Sequence, residues 1–468
     1  MTLLTVAALL CALVPGVAAW WSGRQLLARR DDAALPELLW HRRSRLTSVA
    51  ALAFALIVFV ARGALLPVAI ALFVVALFVG SYPARRALRG ETWSLGAYLR
   101  SSLGRVVASA GFFIGLALAP QIVLAVPPGA APWVAGALAL ILVVWARFVV
   151  PFWLRVHGAT PIADHPVGAG LVPRFAAIVA ASRAQPPETY RIGRPGERLV
   201  GAFALPSSGS RPAAVAFGDS LLELLTPDEV VAVFAHEVAH LEHFTPARVR
   251  RGFIASVFLA VAAVTLPLAV RAAQPASAWL VTIAWPLVVL LALALRAGRS
   301  KANELASDRR AAELCGDPEA MIRALVTLHT ALQLPRRWSA DAERAATHPS
   351  LANRIRALRA AAAATGSLGE PVVLRSTKPG TFVVLDAARV SVLAGVPDGT
   401  PLDAAALRDH AGSIRADAYE QLVELRVSAE RGARTLVATD RAGATWRVPL
   451  EPADVRAAQA ALDVVDVR

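Results

Sequence analysis

Long apolar segments recur along the first two thirds of the chain and determine its predicted architecture. Most of them approach or reach the roughly 20 residues that a helix needs to cross a bilayer. The first lacks a basic segment before it and a clear cleavage site, so we interpret it as a membrane span rather than a cleaved signal peptide. The pattern predicts seven spans, the last two forming a hairpin: 2–21, 47–61, 64–82, 106–126, 131–150, 253–272 and 278–296.

Two hydrophilic segments, 151–252 and 297–468, lie after the fifth and the seventh predicted span. The first of them contains a predicted helix near 170–183. Two short apolar runs follow, at 199–205 and 213–218, and they are separated by a turn-rich stretch. Runs of this length on either side of a turn predict a β-hairpin.

The stretch TPDEVVAVFAHEVAHLEHF, residues 226–244, has the pattern of a helix that is apolar over much of its surface. Thr226 is a favourable N-cap, and Glu229 three residues later completes a capping box. Pro227 suits the first helical position, whereas Pro246 is predicted to end the helix.

The C-terminal part of the chain differs from the rest in composition. Before a predicted helix at 452–464 it has strand-like segments separated by turn residues: TFVVLD, RVSVLA, QLVELRVSAE, RTLVATD and ATWRVPL. The predicted fold class is mainly α, a multi-span helical membrane protein with an α+β domain and a small mostly-β domain. The predicted domains are a membrane domain (1–150), an α+β domain (151–365) interrupted by the hairpin 253–296, and the C-terminal domain (371–468).

Composition supports a membrane protein. Hydrophobic residues make up 56% of the chain and charged residues only 18%, which is too apolar for an ordinary soluble enzyme. The spans lack the paired charges that usually mark the substrate path of a transporter. Lysine occurs only at positions 301 and 378, so nearly all basic residues are arginine. This usage is typical of a GC-rich genome and indicates a bacterial protein of the inner membrane.

The net charge of +14 is distributed in a way that argues against nucleic-acid binding. Arginines are concentrated in the segments 22–46 and 83–105, whereas the intervening loops hold few. This asymmetry is the positive-inside pattern. It predicts an external N-terminus and places both segments, together with 151–252 and 297–468, on the cytoplasmic side.

The helix at 226–244 carries the first candidate for chemistry. His236 and His240 are four residues apart and project from one face, and Glu237 lies between them. In this H-E-x-x-H arrangement two imidazoles bind Zn²⁺, and the glutamate takes a proton from the zinc-bound water. Because most of the helix is apolar, burying these side chains without a metal would be costly.

A catalytic zinc site needs a third protein ligand. The extended metzincin pattern is absent, because His243 and Pro246 stand where it requires glycine and histidine. A glutamate from a later helix is the other common solution. In RSKANELASDRRAAELCG, Glu304 and Asp308 share one helical face, and we predict that Glu304 ligates zinc. Asp308 would accept the free ring N–H of a ligand histidine, and His243 would lie at the surface or behind the ligands.

HEVAH, the two-span hairpin, the E-x-x-x-D pair and HPSLANRIRAL at 348–358 together resemble a known family. It is the membrane-integrated gluzincin family of HtpX-like proteases and type I CAAX prenyl endopeptidases. The resemblance extends over about 150–360 and implies a gluzincin-type catalytic domain with one zinc ion per chain. It places His236, His240 and Glu304 at the metal and Glu237 as the general base.

The resemblance implies further site residues. His348 would stabilise the oxyanion, and Arg354 would bind the substrate backbone or a carboxylate. The peptide would lie along the strand that contains Gly201, Ala202 and Phe203, held by main-chain hydrogen bonds. The family often has Asn-Ala on this strand, and the chain departs from that pattern with Gly201-Ala202-Phe203.

The expected function is that of a membrane-embedded zinc endopeptidase with a cytoplasmic active site. Its partners would be the lipid bilayer and a peptide or membrane-protein substrate, cleaved in quality control or maturation. Two alternatives remain open at this stage. One is an inactive zinc-binding membrane scaffold, which the intact Glu237 disfavours. The other is CAAX-type processing of lipidated C-termini, which a bacterial host disfavours.

Overall fold

The computed structural model describes residues 3–32, 35–61, 65–208, 211–274, 279–297, 300–335, 348–365, 371–386, 389–430 and 433–464. Contacts between residues divide the chain into two units. The first contains 1–225, 237–303 and 330–335, and the second contains 226–236, 304–329 and 336–468. The division falls within one continuous helix, Pro227–Glu242.

Helices make up most of the first unit. In chain order they are Leu3–Leu27 (α1), Leu35–Val60 (α2), Leu65–Arg89 (α3), Leu95–Ala125 (α4), Ala131–Val156 (α5), Pro166–Ala181 (α6), Asp219–Leu224 (α7), the helix Pro227–Glu242 shared by both units (α8), Pro246–Ala273 (α9) and Leu280–Ala297 (α10).

Six helices of the described chain, α1 to α5 and α9, are long and apolar enough to cross a membrane. They confirm six of the seven predicted spans and the assignment as a multi-pass membrane protein. The seventh predicted run forms α10, whose apolar part is described from Leu280 to Leu291. The side chains of 292–297 lie outside the described residues. α2 is longer than its predicted run, because the helix also includes the polar residues that precede it.

Glycines allow α1 and α3 to pack closely against each other. A β-carbon on Gly80 would lie 2.0 Å from the carbonyl oxygen of Gly16, and one on Gly16 would lie 2.5 Å from that of Ala76. Lipid provides no hydrophobic drive for helix association, so small residues at such crossings allow the van der Waals contact that holds membrane helices together.

The first unit also contains a four-stranded sheet with the strand order β1-β2-β4-β3. Its strands are Thr160–Pro161 (β1), Glu188–Ile192 (β2), Ala202–Leu205 (β3) and Ala214–Gly218 (β4). β3 and β4 pair in antiparallel fashion, which confirms the predicted hairpin, whereas β2 pairs with β4 in parallel. β4 is fully buried and β3 forms one edge of the sheet.

The helices of the second unit, besides the start of α8, are Ser300–Cys315 (α11), Pro318–Ala331 (α12), Leu351–Thr365 (α13), Ala404–His410 (α14) and Val455–Val464 (α15). α11 and α12 have a few terminal residues that belong to the first unit. Gly316 follows α11 with a φ of +68°, as expected for a glycine that ends a helix in the left-handed conformation.

The C-terminal part of the second unit consists of two antiparallel sheets. One has the order β5-β6-β7-β8 and the other β11-β10-β9. Their strands are Val372–Arg375 (β5), Phe382–Leu385 (β6), Arg389–Ala394 (β7), Ser413–Ala418 (β8), Leu422–Glu430 (β9), Ala433–Asp440 (β10) and Thr445–Pro449 (β11). Leu374, Val383, Leu436 and Val448 join one buried core from both sheets. The predicted strand-rich region is confirmed, with β5, β8 and α14 added.

Candidate metal centre

The helix α8 has the predicted start. The Oγ1 of Thr226 accepts a hydrogen bond from the backbone N–H of Glu229, and the backbone N–H of Thr226 donates to the Glu229 carboxylate over 2.9 Å. This reciprocal pair satisfies two backbone donors that a helix start leaves without partners. The prediction that Pro246 ends the helix is wrong. α8 ends at Glu242, and Pro246 is the first residue of α9, after the N-cap Thr245.

A buried apolar core holds the metal-site helices of the second unit in place. Ala232 of α8 packs in one cluster with residues of α12 and α13, among them Met321, Leu325, Leu351 and Leu358. All of these side chains are at least 97% buried. Because protein cores are close-packed, this contact fixes the rotation of α8 and therefore the direction of its histidines.

His236, His240 and Glu304 come together as a group that can hold a metal ion. Their ligand atoms all lie within 4.8 Å of one another. Nε2 of His236 is 3.8 Å from Oε2 of Glu304. Two donors of a tetrahedral zinc ion, each about 2.1 Å from the metal, would lie ~3.4 Å apart. Two imidazole nitrogens and one carboxylate oxygen are also a common donor set of catalytic zinc, so the residues fit the ion.

Glu237 follows His236 on the same helix and is 8% exposed. His236 is 6% exposed and His240 is partly buried. The Glu237 carboxylate and the His236 imidazole are therefore largely removed from bulk water. Electrostatic interactions are stronger in such an environment than at the surface.

Asp308 lies directly behind His236. Its Oδ1 is 3.0 Å from Nδ1 of His236, and its side chain is completely buried. Arg354 of α13 donates two hydrogen bonds to the same carboxylate, from Nε over 2.7 Å and from a terminal nitrogen over 2.6 Å. Burial would raise the pKa of Asp308, but the charge and hydrogen bonds of Arg354, together with the contact to His236, hold that pKa well below its usual range. The carboxylate is therefore ionised.

Glu304 has two further neighbours. Nδ1 of His348 lies 3.3 Å from Oε1 of Glu304, and the His348 side chain is 58% exposed. A terminal nitrogen of Arg354 lies 3.8 Å from Oε2 of Glu304. His348 precedes α13, so it occupies a loop position beside the ligand, whereas Arg354 lies inside that helix and is buried.

The predicted peptide-binding residues lie at the edge of the first sheet. Gly201 directly precedes β3, and its carbonyl accepts a hydrogen bond from the backbone N–H of Gly218. Ala202 and Phe203 are the first residues of β3, paired with β4 on one side. The Phe203 ring is partly exposed and contacts Trp153 edge-on, with ring centroids 5.3 Å apart.

The pairing of Asp308 with Arg354 was not predicted from the sequence, although both residues were singled out. They are 46 positions apart, and nothing in either local pattern indicates the contact. Glu242 has a role that was also missed, because its carboxylate accepts a hydrogen bond from the backbone N–H of Arg183 after α6. An acidic residue at the end of a helix gives no sequence signal for such a contact.

The chain is similar to several known proteins. Residues 173–362 match peptidase family M48. The chain is 28% identical over 189 residues to a protease HtpX homologue of Campylobacter hominis, and the aligned part covers 38% of this chain and 64% of that protein. It is also similar to the crystal structure of S. mikatae Ste24p, with 14% identity, a TM-score of 0.45, and coverage of 76% of this chain and 99% of that one.

The M48 match begins within α6 and ends within α13. It includes β3 and β4, the H-E-x-x-H helix, the pair Glu304 and Asp308, and the loop that carries His348. The predicted relationship to HtpX-like proteases is thereby confirmed. The matched residues 173–362 include every residue of the candidate metal centre.

Proposed function

We propose that the protein is a membrane-embedded zinc endopeptidase that hydrolyses peptide bonds of membrane proteins or of peptides close to the membrane. The observation that carries this proposal is the convergence of His236, His240 and Glu304 within 4.8 Å, with Glu237 between the histidines in sequence. Two imidazole ligands and a carboxylate base on one buried helix, with a third ligand from α11, are groups that metal-assisted hydrolysis of an amide uses.

His236, His240 and Glu304 would hold one zinc ion per chain. When bound, zinc supplies a Lewis acid that polarises the scissile carbonyl and lowers the pKa of water. Glu237 is the general base in this proposal, because its carboxylate follows a ligand histidine but is not a member of the ligand group. It takes a proton from the attacking water and delivers it to the leaving amine.

Asp308 and Arg354 would orient the ligand histidine. An ionised Asp308 beside Nδ1 of His236 favours the tautomer with hydrogen on Nδ1, which leaves the Nε2 lone pair for the metal. Arg354 fixes that carboxylate through two hydrogen bonds. A planar guanidinium that is bidentate to an acid restricts its rotation. We therefore assign Arg354 a positioning role, and its predicted contact with the substrate stays a prediction.

His348 would donate a hydrogen bond to the oxyanion that forms when water attacks the carbonyl. It is exposed, it lies beside Glu304, and it precedes a helix, so its ring is accessible to a substrate. A second electrophile close to the metal stabilises developing negative charge.

The substrate would bind in an extended conformation along Gly201, Ala202 and Phe203. β3 is an edge strand, so one row of its backbone groups is not engaged by a neighbouring strand of this sheet. An edge strand of this kind recognises a peptide by adding it as another strand. Partly exposed Phe203 would contact an apolar side chain of the peptide.

Membrane substrates follow from the five spans that precede the peptidase region in sequence and from α9, which lies within it. We propose that the protein lies in a bacterial inner membrane with the active site on the cytoplasmic side, as the arginine-rich segments 22–46 and 83–105 indicate. Quality control or maturation of membrane proteins is the role that suits this placement.

The test compares two glutamates on α11. Glu304→Gln removes a proposed ligand while preserving shape, and Glu313→Gln removes the same charge from an exposed position that pairs with Arg310. Full-length protein would be purified with zinc, analysed for metal content and assayed for casein cleavage. We expect one zinc per chain and cleavage for the wild type and Glu313→Gln, and loss of both for Glu304→Gln. Full zinc occupancy in Glu304→Gln, or zinc without any cleavage in the wild type, would contradict the proposal.

A further inference from the structure

The helices of the first unit line an open cavity that is separate from the residues proposed for catalysis. Its volume is about 880 Å³, which is within the range of ligand sites. α2, α3 and α10 supply most of its wall, and Tyr98 of α4 and residues 332–334 contribute the rest. Phe54, Phe59, Phe73, Leu287 and Leu290 are among the lining side chains, so the interior is largely apolar.

One end of this cavity is strongly basic. Arg42 and Arg43 lie in the first third of α2, and Arg85 and Arg89 lie at the end of α3. Because the two helices follow each other across a short connection, the beginning of α2 lies beside the end of α3. Contacts around Gly23 agree, since a β-carbon there would lie 2.8 Å from Cβ of Ala84 and 3.4 Å from the Arg42 guanidinium.

The four guanidinium groups are only partly neutralised by the protein. Arg85 pairs with Glu91 over 3.0 Å. Arg42 donates to neutral groups, the Ser22 hydroxyl over 3.0 Å and the Ala19 carbonyl over 2.8 Å. Within the described chain, no carboxylate forms an ion pair with Arg43 or Arg89, and no acidic residue is among those lining the cavity.

This combination defines the ligand by its chemistry. An apolar cavity between membrane helices accommodates hydrocarbon, and clustered arginines at the end of such helices favour a phosphate, which guanidinium groups bind in bidentate fashion. Basic pockets between transmembrane helices are a recognised form of anionic headgroup site. Trp40 also lines the cavity, and tryptophan is enriched at the depth where lipid headgroups lie.

We propose that this cavity binds one anionic glycerophospholipid, with its phosphate at Arg43 and Arg89 and an acyl chain between α2, α3 and α10. The site is formed entirely by residues of the first unit. The proposal stands on its own cavity and charges, and does not depend on the proteolytic function.

The experiment uses the delipidated full-length protein and native mass spectrometry to count bound lipids. Phosphatidylglycerol, phosphatidylcholine with the same chains, and palmitate serve as the three probes. We expect one phosphatidylglycerol per chain to remain bound at concentrations at which the other two dissociate. Equal retention of phosphatidylcholine would overturn the assignment of headgroup charge, and equal retention of palmitate would overturn the assignment to a phospholipid. This comparison needs no variant.

A matched pair of double variants then locates the site. Arg43→Gln/Arg89→Gln removes the two arginines that lack a carboxylate partner, and Arg45→Gln/Arg86→Gln removes the same charge from exposed positions on the same helices outside the cavity. At about 1 kcal/mol per basic residue, the first pair should weaken phosphatidylglycerol binding roughly 10–30-fold. An equal loss in the second pair would show general surface attraction and refute the site.

The apolar part of the cavity is tested by Ala51→Trp, which fills space beside the acyl chain while keeping all four arginines. Ala51 is exposed to the cavity side of α2 rather than buried in the helix packing. We expect this variant to lose phosphatidylglycerol while eluting as the wild type does in size exclusion. Unchanged retention in a folded Ala51→Trp protein would place the lipid elsewhere.

Discussion

Arginine occurs in two contrasting environments in this chain. Arg354 is 9% exposed and gives two short hydrogen bonds to the fully buried Asp308. Arg43 and Arg89 line an apolar cavity, and within the described chain no carboxylate pairs with either. In the first environment Asp308 neutralises the charge of Arg354. In the second, no carboxylate of the described chain neutralises Arg43 or Arg89 through an ion pair.

The difference indicates which arginine has a structural role and which arginines are available to bind a ligand. A buried ion pair costs much desolvation, and removing one partner leaves the other uncompensated. Such a pair is therefore part of the structure that holds a neighbouring group, here His236. An arginine beside an apolar cavity that forms no ion pair with a carboxylate of the described chain can be replaced at a smaller cost in folding free energy, and its charge provides binding energy for an anion that comes from outside.

The largest expected effect is on stability. Arg354→Met should lower the free energy of unfolding by about 3–5 kcal/mol, because Asp308 would remain buried without its partner. Arg43→Gln/Arg89→Gln should change it much less, because within the described chain neither guanidinium forms an ion pair with a carboxylate. Thermal denaturation of the full-length protein in detergent would measure both.

The control for this comparison is the double variant Asp308→Leu/Arg354→Met, in which both partners become apolar. Replacing a buried pair in this way is often neutral or stabilising, so much of the lost stability should return. If Arg354→Met unfolded at the wild-type temperature, the pair would not contribute as described.

The second expected effect is on the turnover number. His348 touches Glu304 but is 58% exposed, so His348→Phe should leave folding and zinc content unchanged. Its loss should lower the turnover number by about 10²–10³-fold, the usual consequence of removing one oxyanion donor. Kinetics on casein would show a change in kcat rather than KM. Wild-type turnover in a zinc-loaded variant would remove His348 from the proposed mechanism.

The third and smallest effect is on metal affinity. Asp308→Asn keeps the size of the side chain but removes the charge that faces Nδ1 of His236 and that pairs with Arg354. We expect zinc affinity to fall by roughly 10–100-fold, the range found when a group behind a metal ligand is lost. Competition with a zinc chelator would measure this. An affinity equal to that of the wild type would limit Asp308 to a role in folding.

The local patterns of the sequence predicted much of the metal-site helix. The capping box of Thr226 and Glu229 and the hairpin of β3 and β4 depend on neighbouring residues, and the structure has both. Pro246 was misinterpreted because a proline is compatible both with the end of one helix and with the first turn of the next.

The features that the sequence did not predict depend on contacts between residues far apart in the chain, or lie in helices and strands with polar surfaces. The pair of Asp308 and Arg354 joins two helices 46 residues apart. β8 is an edge strand whose first four residues are exposed, so it lacks the apolar alternation by which strands are recognised. α2 begins well before its apolar run, because helix formation does not require an apolar surface around its polar end.

The central claim is that Glu237 is the base of a metal-dependent peptidase and not one of its metal ligands. Glu237→Gln tests it most directly, with zinc content and casein cleavage measured on the same purified full-length protein. We predict one zinc per chain, as in the wild type, and cleavage reduced by at least about 10²-fold, since a positioned base contributes 10²–10⁴-fold. Cleavage at the wild-type rate, or loss of zinc from the variant, would contradict the account.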